Sequence, residues 1–76
     1  MMRTYLTIQI NTDGVSFSEL TNTLQNLGFK PLKGYYDFVY EWDDHASIKE
    51  ILWFADKIHT ALSGKKVYFR LETLEQ

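Results

Sequence analysis

Asn11, Asp13, Glu41, Asp43 and Asp44, with His45 beside them, are the residues of this chain whose types could hold a hard divalent cation such as calcium. Their spacing does not follow the calcium-loop pattern, in which the ligands alternate within one segment. They become a site only if the fold brings residues 11 to 13 against residues 41 to 45. The competing reading is that these side chains cap helix starts and offset the helix dipole. Other chemistries are less well served. There is no cysteine, hence no thiolate ligand and no disulfide. His45 and His59 fall about 20 Å apart along one helix at roughly 1.5 Å per residue, too far to share a zinc ion. No serine elbow and no acid and base pair of carboxylates is visible, so the chain is read as non-catalytic and without a cofactor.

Seventy-six residues make a single domain, 1 to 76, that must find its core in a 45% hydrophobic and 16% aromatic composition. A chain of this size buries only about 60% of its unfolded surface. Eight basic against ten acidic residues give a net charge of −2. Nucleic-acid binders need a basic face to release counterions, so nucleic acid is not expected as a partner. No apolar run reaches the roughly 18 residues of a membrane span, and the opening Met1-Met2-Arg3-Thr4 lacks an apolar leader core. These features are read as a soluble, cytoplasmic protein.

The elements that must position these residues can be read from periodicity. Leu6, Ile8 and Ile10 alternate with Tyr5, Thr7 and Gln9, which predicts a half-buried strand over 3 to 11, closed by the turn residues Asn11-Thr12-Asp13-Gly14. Ser16-Phe17-Ser18-Glu19 is a capping box, and Phe17, Leu20, Leu24 and Leu27 follow at helical spacing until Gly28. A helix is therefore expected over 16 to 27. Phe29 to Lys33 contains Pro31 and suits a short edge strand. Tyr35, Tyr36, Phe38, Tyr40 and Trp42 crowd one strand, expected over 35 to 42, with Tyr36, Phe38, Tyr40 and Trp42 turned toward the core. A second capping box, Ser47-Ile48-Lys49-Glu50, opens a helix over 46 to 62 whose stripe is Ile48, Ile51, Leu52, Ala55, Ile58 and Leu62. Val67, Phe69 and Leu71 alternate through a last strand over 65 to 73.

Strand, helix, strand, strand, helix, strand resembles the ferredoxin-like split βαβ pair. The expected architecture is α+β, βαββαβ, a four-stranded antiparallel sheet in the order 4-1-3-2 with both helices on one face. Within it the first and third strands are read as neighbours running in the same direction. That reading sets Asn11 and Asp13 near Glu41, Asp43, Asp44 and His45, and it is what makes them a candidate cation or ligand site.

Two narrower resemblances concern binding. Ile8-Gln9-Ile10, Asp13-Gly14, Ser18-Glu19-Leu20 and Gly28-Phe29-Lys30 are similar to the opening of ACT domains, which implies a small-molecule pocket near Asp13 and Gly14, usually at a dimer interface. Lys33-Gly34-Tyr35 resembles the start of the aromatic motif on the third strand of the RNA recognition motif, with Tyr5 as the aromatic on the first strand. Asp37 stands where that family presents a second exposed aromatic, and a carboxylate there repels a phosphate backbone. The reading favoured over RNA binding is a small regulatory or protein-interaction domain that self-associates through its open sheet face. Tyr5, Thr7, Gln9, Tyr35, Val39, Tyr68 and Arg70 form that face, and a homodimer or another protein is the expected partner. Trp53 lies off the apolar stripe between Lys49 and Lys57, either as an interface residue or as an indole under lysine stems.

Overall fold

Alternating apolar side chains build β1 (Met2–Ile10), the strand against which the sheet assembles. The computed structural model describes residues 1–75. After β1 come α1 (Phe17–Asn26), β2 (Lys30–Pro31), β3 (Phe38–Glu41), α2 (Ile48–Leu62) and β4 (Val67–Glu75). The sheet order is β2-β3-β1-β4 and every neighbouring pair is antiparallel. Leu6 and Phe38 from the sheet, Leu20 and Leu24 from α1, and Phe54, Ile58 and Leu62 from α2 close one core. Both helices thus cover the same sheet face, and the chain has the ferredoxin-like α+β fold.

The direction of β3 corrects the expectation of parallel first and third strands. Arg3 lies opposite Glu41 and Leu6 opposite Phe38, an antiparallel register. The reason is topological. The β1-α1-β2 crossover makes β1 and β2 run alike, and the hairpin from β2 to β3 then reverses the chain, so β3, seated between them, opposes both. The C-terminal ends of β1 and β3 therefore lie at opposite ends of the molecule.

Local signals set the helix boundaries. Ser16 Oγ accepts from the Glu19 N–H at 3.2 Å, and Ser47 with Glu50 forms the full reciprocal box at 3.2 and 2.9 Å. At the end of α1, Gly28 takes φ 102°, its N–H donates to the Gln25 carbonyl, and the Phe29 N–H donates to the Leu24 carbonyl at 3.0 Å. This is a Schellman motif, and its closing hydrophobic residue is Phe29, 2% exposed. A Cβ at Gly28 would sit 2.8 Å from the Tyr40 ring, so close packing as well as backbone sign demands glycine there.

Three core assignments also change. In α2 the buried residues are Phe54, Ile58 and Leu62, whereas Ile48 and Leu52 are 77% and 60% exposed. The buried stripe is rotated toward Phe54 because that ring packs on Tyr40, Trp42 and Phe29, at centroid distances of 4.4, 5.4 and 5.5 Å. Phe17 is 68% exposed at the start of α1 instead of joining its apolar stripe. Finally, β3 begins at Phe38, and the residues before it form a loop that places Tyr36 on the open face, outside the core.

Candidate functional site

The oxygen-donor cluster separates into two groups. Asn11 and Asp13 belong to a turn after β1: Asn11 Oδ1 accepts from the Asp13 N–H at 2.9 Å, and the Asn11 carbonyl accepts from the Gly14 N–H at 2.9 Å. Gly14 then packs directly on the backbone of Lys65, and the Val15 N–H donates to the Lys65 carbonyl at 3.2 Å. Gly14 itself is thus packed against the chain, while Asn11 at the start of the same turn lines a cavity of about 630 Å³ with Gly64 and Lys66.

Glu41, Asp43, Asp44 and His45 lie at the other end of the molecule. The Glu41 carboxylate receives Arg3 Nε and Lys30 Nζ, each at 3.3 Å. His45 Nδ1 is 2.6 Å from Glu75 Oε2, and the Asp44 carboxylate accepts from the His45 N–H at 2.8 Å. Among the described residues no three histidine or carboxylate side chains are grouped as a metal would require. What unites these contacts is pairing of surface charges, while the start of α2 is capped by Ser47 and Glu50.

Lys30 first, and then Arg3, hold the Glu41 carboxyl below its ordinary range. A carboxylate depressed in the folded state contributes stability that is present at neutral pH and is lost as pH falls through its folded value. Glu41→Gln is expected to lower Tm modestly at neutral pH and to leave it unchanged at acid pH, which flattens the acid limb of stability, as thermal melts across pH will show. An unchanged acid limb would refute that assignment.

On the open face of the sheet, β1 contributes Arg3, Tyr5, Thr7 and Gln9, β3 contributes Val39 and Glu41, and β4 contributes Tyr68, Arg70 and Glu72, paired as Tyr5 with Val39 and Glu72, Thr7 with Arg70, and Gln9 with Tyr68. The loop between β2 and β3 folds over part of it. Asp37 fastens that loop by accepting from the Ile8 N–H at 2.7 Å through Oδ2 and donating its own N–H to the Leu6 carbonyl at 3.0 Å. Its side chain thus does for β1 what a strand carbonyl does elsewhere. The loop lays Tyr36 on Tyr5 with ring centroids 4.5 Å apart, and Tyr35 meets Tyr36 edge-on at 5.1 Å. Val39, between Tyr5 of β1 and Lys30 of β2, is only 7% exposed.

Of the candidate interface residues, Tyr5 is therefore covered by the chain's own loop and Val39 is buried, while Thr7, Gln9, Tyr35, Tyr68 and Arg70 remain around a shallow groove of about 530 Å³. Tyr35 and Tyr68 stand 77% and 75% exposed at its sides. The Tyr35 hydroxyl bonded to the Arg70 guanidinium raises Arg70 above its ordinary value, and Tyr36 is raised by its burial and by its hydrogen bond to Glu72. Tyrosines and carboxylates or arginines thus alternate across the face, held by one another.

Trp53 is 59% exposed, with Lys57 Nζ 5.0 Å from the ring centroid. It flanks Leu27 at the end of α1, in a shallow apolar dent between the two helices. The indole thus lies beside the Lys57 ammonium. Sequence reasoning missed the cavity of about 630 Å³ at the other end of α2, where His59, Lys66 and Tyr68 surround Val67 and Phe69. Its sequence signals are Asn11, a candidate ligand residue that lines it, and His59 in the last turns before the stop glycine Gly64, which reads equally well as helix-end chemistry.

Among the described residues no helix is long and apolar enough to cross a membrane. Compared with protein-family models, characterised proteins and solved structures, the chain matches none.

Proposed function

We propose that this chain is a small non-catalytic regulatory or interaction domain that contacts a protein through the uncovered part of its sheet face, with a second copy of itself as the first partner. The observation that carries this reading is the pair of tyrosines, Tyr35 and Tyr68, left largely exposed on either side of Thr7, Gln9 and Arg70. Tyrosine and arginine are enriched in protein interfaces because each offers apolar area together with a polar tip. The stacking of Tyr36 on Tyr5 argues against the RNA reading, since the strand-one ring already has a ring on its face.

A concentration series of amide NMR spectra tests the proposal. The amides of Thr7, Gln9 and Tyr35 are expected to shift as the protein is concentrated, and Tyr35→Ser is expected to abolish the shifts while leaving the fold intact. Flat positions for Gln9 and Tyr35 up to high micromolar concentration would rule out self-association through this face.

A further inference from the structure

The two edges of the sheet are finished differently. On one side β2 is two exposed residues long, Lys30 and Pro31, and both lysine and proline on an edge discourage the addition of another strand. On the other side β4 runs nine residues, Val67–Glu75, without proline, glycine or lysine, and it pairs in unbroken register with β1. Among the described residues no strand lies against its outer side. A long regular edge of this kind is a template for pairing unless something covers it.

An apolar helix flank accompanies that edge. His59 lines a cavity with Val67 and Phe69 of β4, and Leu52 and Ile48 precede it on the same flank of α2 by two and three turns. Ile48 and Leu52 are thus exposed on the side of the helix turned toward β4, where the monomer leaves Phe69 and Leu71 only half-buried.

We infer that two copies of this chain join through β4, antiparallel about a two-fold axis at Leu71, to make one continuous sheet. Charge selects that register. With Leu71 opposite its own copy, Arg70 faces the partner's Glu72 and Glu72 faces the partner's Arg70, and all nine residues pair because Leu71 is the midpoint of the strand. Moving the axis by one residue sets Arg70 against the partner's Arg70, or Glu72 against the partner's Glu72, and like charges directly opposite are destabilising. Pairing odd residues with even ones throws the two helix layers to opposite faces and exposes the apolar side chains.

The same register completes the surfaces around it. The two α2 flanks carrying Ile48 and Leu52 face each other across the axis, and the partner's Glu75 comes opposite Val67, at the mouth of the cavity that holds His59 and Lys66. The patch is self-complementary, as a two-fold interface must be. This edge contact does not rest on the face contact proposed above, although Arg70 borders both; the mixture of charge variants and Tyr35→Ser tell the two apart.

Sedimentation equilibrium on the full chain tests the inference. The wild type is expected to be dimeric or larger at high micromolar concentration. Arg70→Glu and Glu72→Arg each make both cross-axis pairs like-charged, and each is expected to weaken association about tenfold or more. Their side chains are 63% and 40% exposed, so neither change disturbs the core. An equimolar mixture of the two variants brings opposite charges together again and is expected to recover wild-type association, whereas Tyr35→Ser, the variant that tests the face contact, is expected to leave the edge dimer intact. A monomeric wild type, single variants that associate as tightly as wild type, or a mixture no tighter than either variant alone would overturn the inference.

Discussion

Phe29→Ala is expected to destabilise this domain by about 3–5 kcal/mol, the usual cost of removing a buried aromatic side chain together with the cavity it leaves. Phe29 is 2% exposed and stacks on Phe54 at 5.5 Å while meeting Tyr40 edge-on at 5.9 Å, so its loss opens the aromatic centre from both the helix and the strand side. The site cannot collapse easily. The Schellman motif pins the Phe29 backbone through its bond to the Leu24 carbonyl, and Gly28 is wedged on the Tyr40 ring. For a chain of this length a total stability of roughly 4–11 kcal/mol is ordinary, so the variant is expected to lose a large share of its stability. Urea unfolding followed by circular dichroism measures the effect. A loss below about 1 kcal/mol would mean that the aromatic centre repacks freely.

Thr4→Val is the second large effect, expected at about 1–3 kcal/mol although the two side chains have nearly the same shape. Thr4 is 2% exposed, and its hydroxyl accepts from the Trp42 indole N–H at 2.9 Å and shares a hydrogen bond with the Thr73 hydroxyl at 2.8 Å. Valine keeps the volume but strands the indole N–H and the Thr73 hydroxyl, and an unpaired partly buried donor costs more than the bond itself gained. This junction ties β1 to β4 and to the residue that follows β3, so it bears on the whole sheet. Denaturant midpoints of Thr4→Val, Thr73→Val and the double variant check it. If the double variant is no less stable than either single one, the hydroxyls act as one unit; strictly additive losses would show that they do not.

The expectations that held share a physical basis. Ser16 and Ser47 cap their helices, Gly28 stops the first with a positive φ, and the alternation of Leu6 and Ile8 faces the core, because each depends on groups within a few residues of one another. The expectations that failed each needed a contact between distant segments. Ile48 and Leu52 belong to a stripe that is apolar by spacing, but which side of α2 is buried was settled by the bulk of Phe54 against Tyr40 and Trp42. Tyr36 follows the strand alternation on paper, yet Asp37 fastens to Ile8 of β1 and ends β3 before that alternation can reach it.

The candidate site shows the same division. That Asn11 and Asp13 lie in a turn is legible in the sequence, and so is the clustering of Glu41, Asp43, Asp44 and His45 ahead of a helix. Whether the two groups meet depended on the direction of β3, which follows from the β2–β3 hairpin and the antiparallel order 4-1-3-2 and not from the side-chain pattern of β3 itself. The sequence by itself determined the elements, their order, the helix caps and the blunted β2 edge, because short-range hydrogen bonding and side-chain periodicity act before the chain closes on itself. Only the tertiary structure decided that Tyr36 roofs Tyr5 and that an apolar flank of α2 is left exposed beside the β4 edge. Those outcomes follow from competition for one small core, in which the largest side chains are seated first and the remaining apolar surface, here Ile48, Leu52 and Tyr68, stays outside.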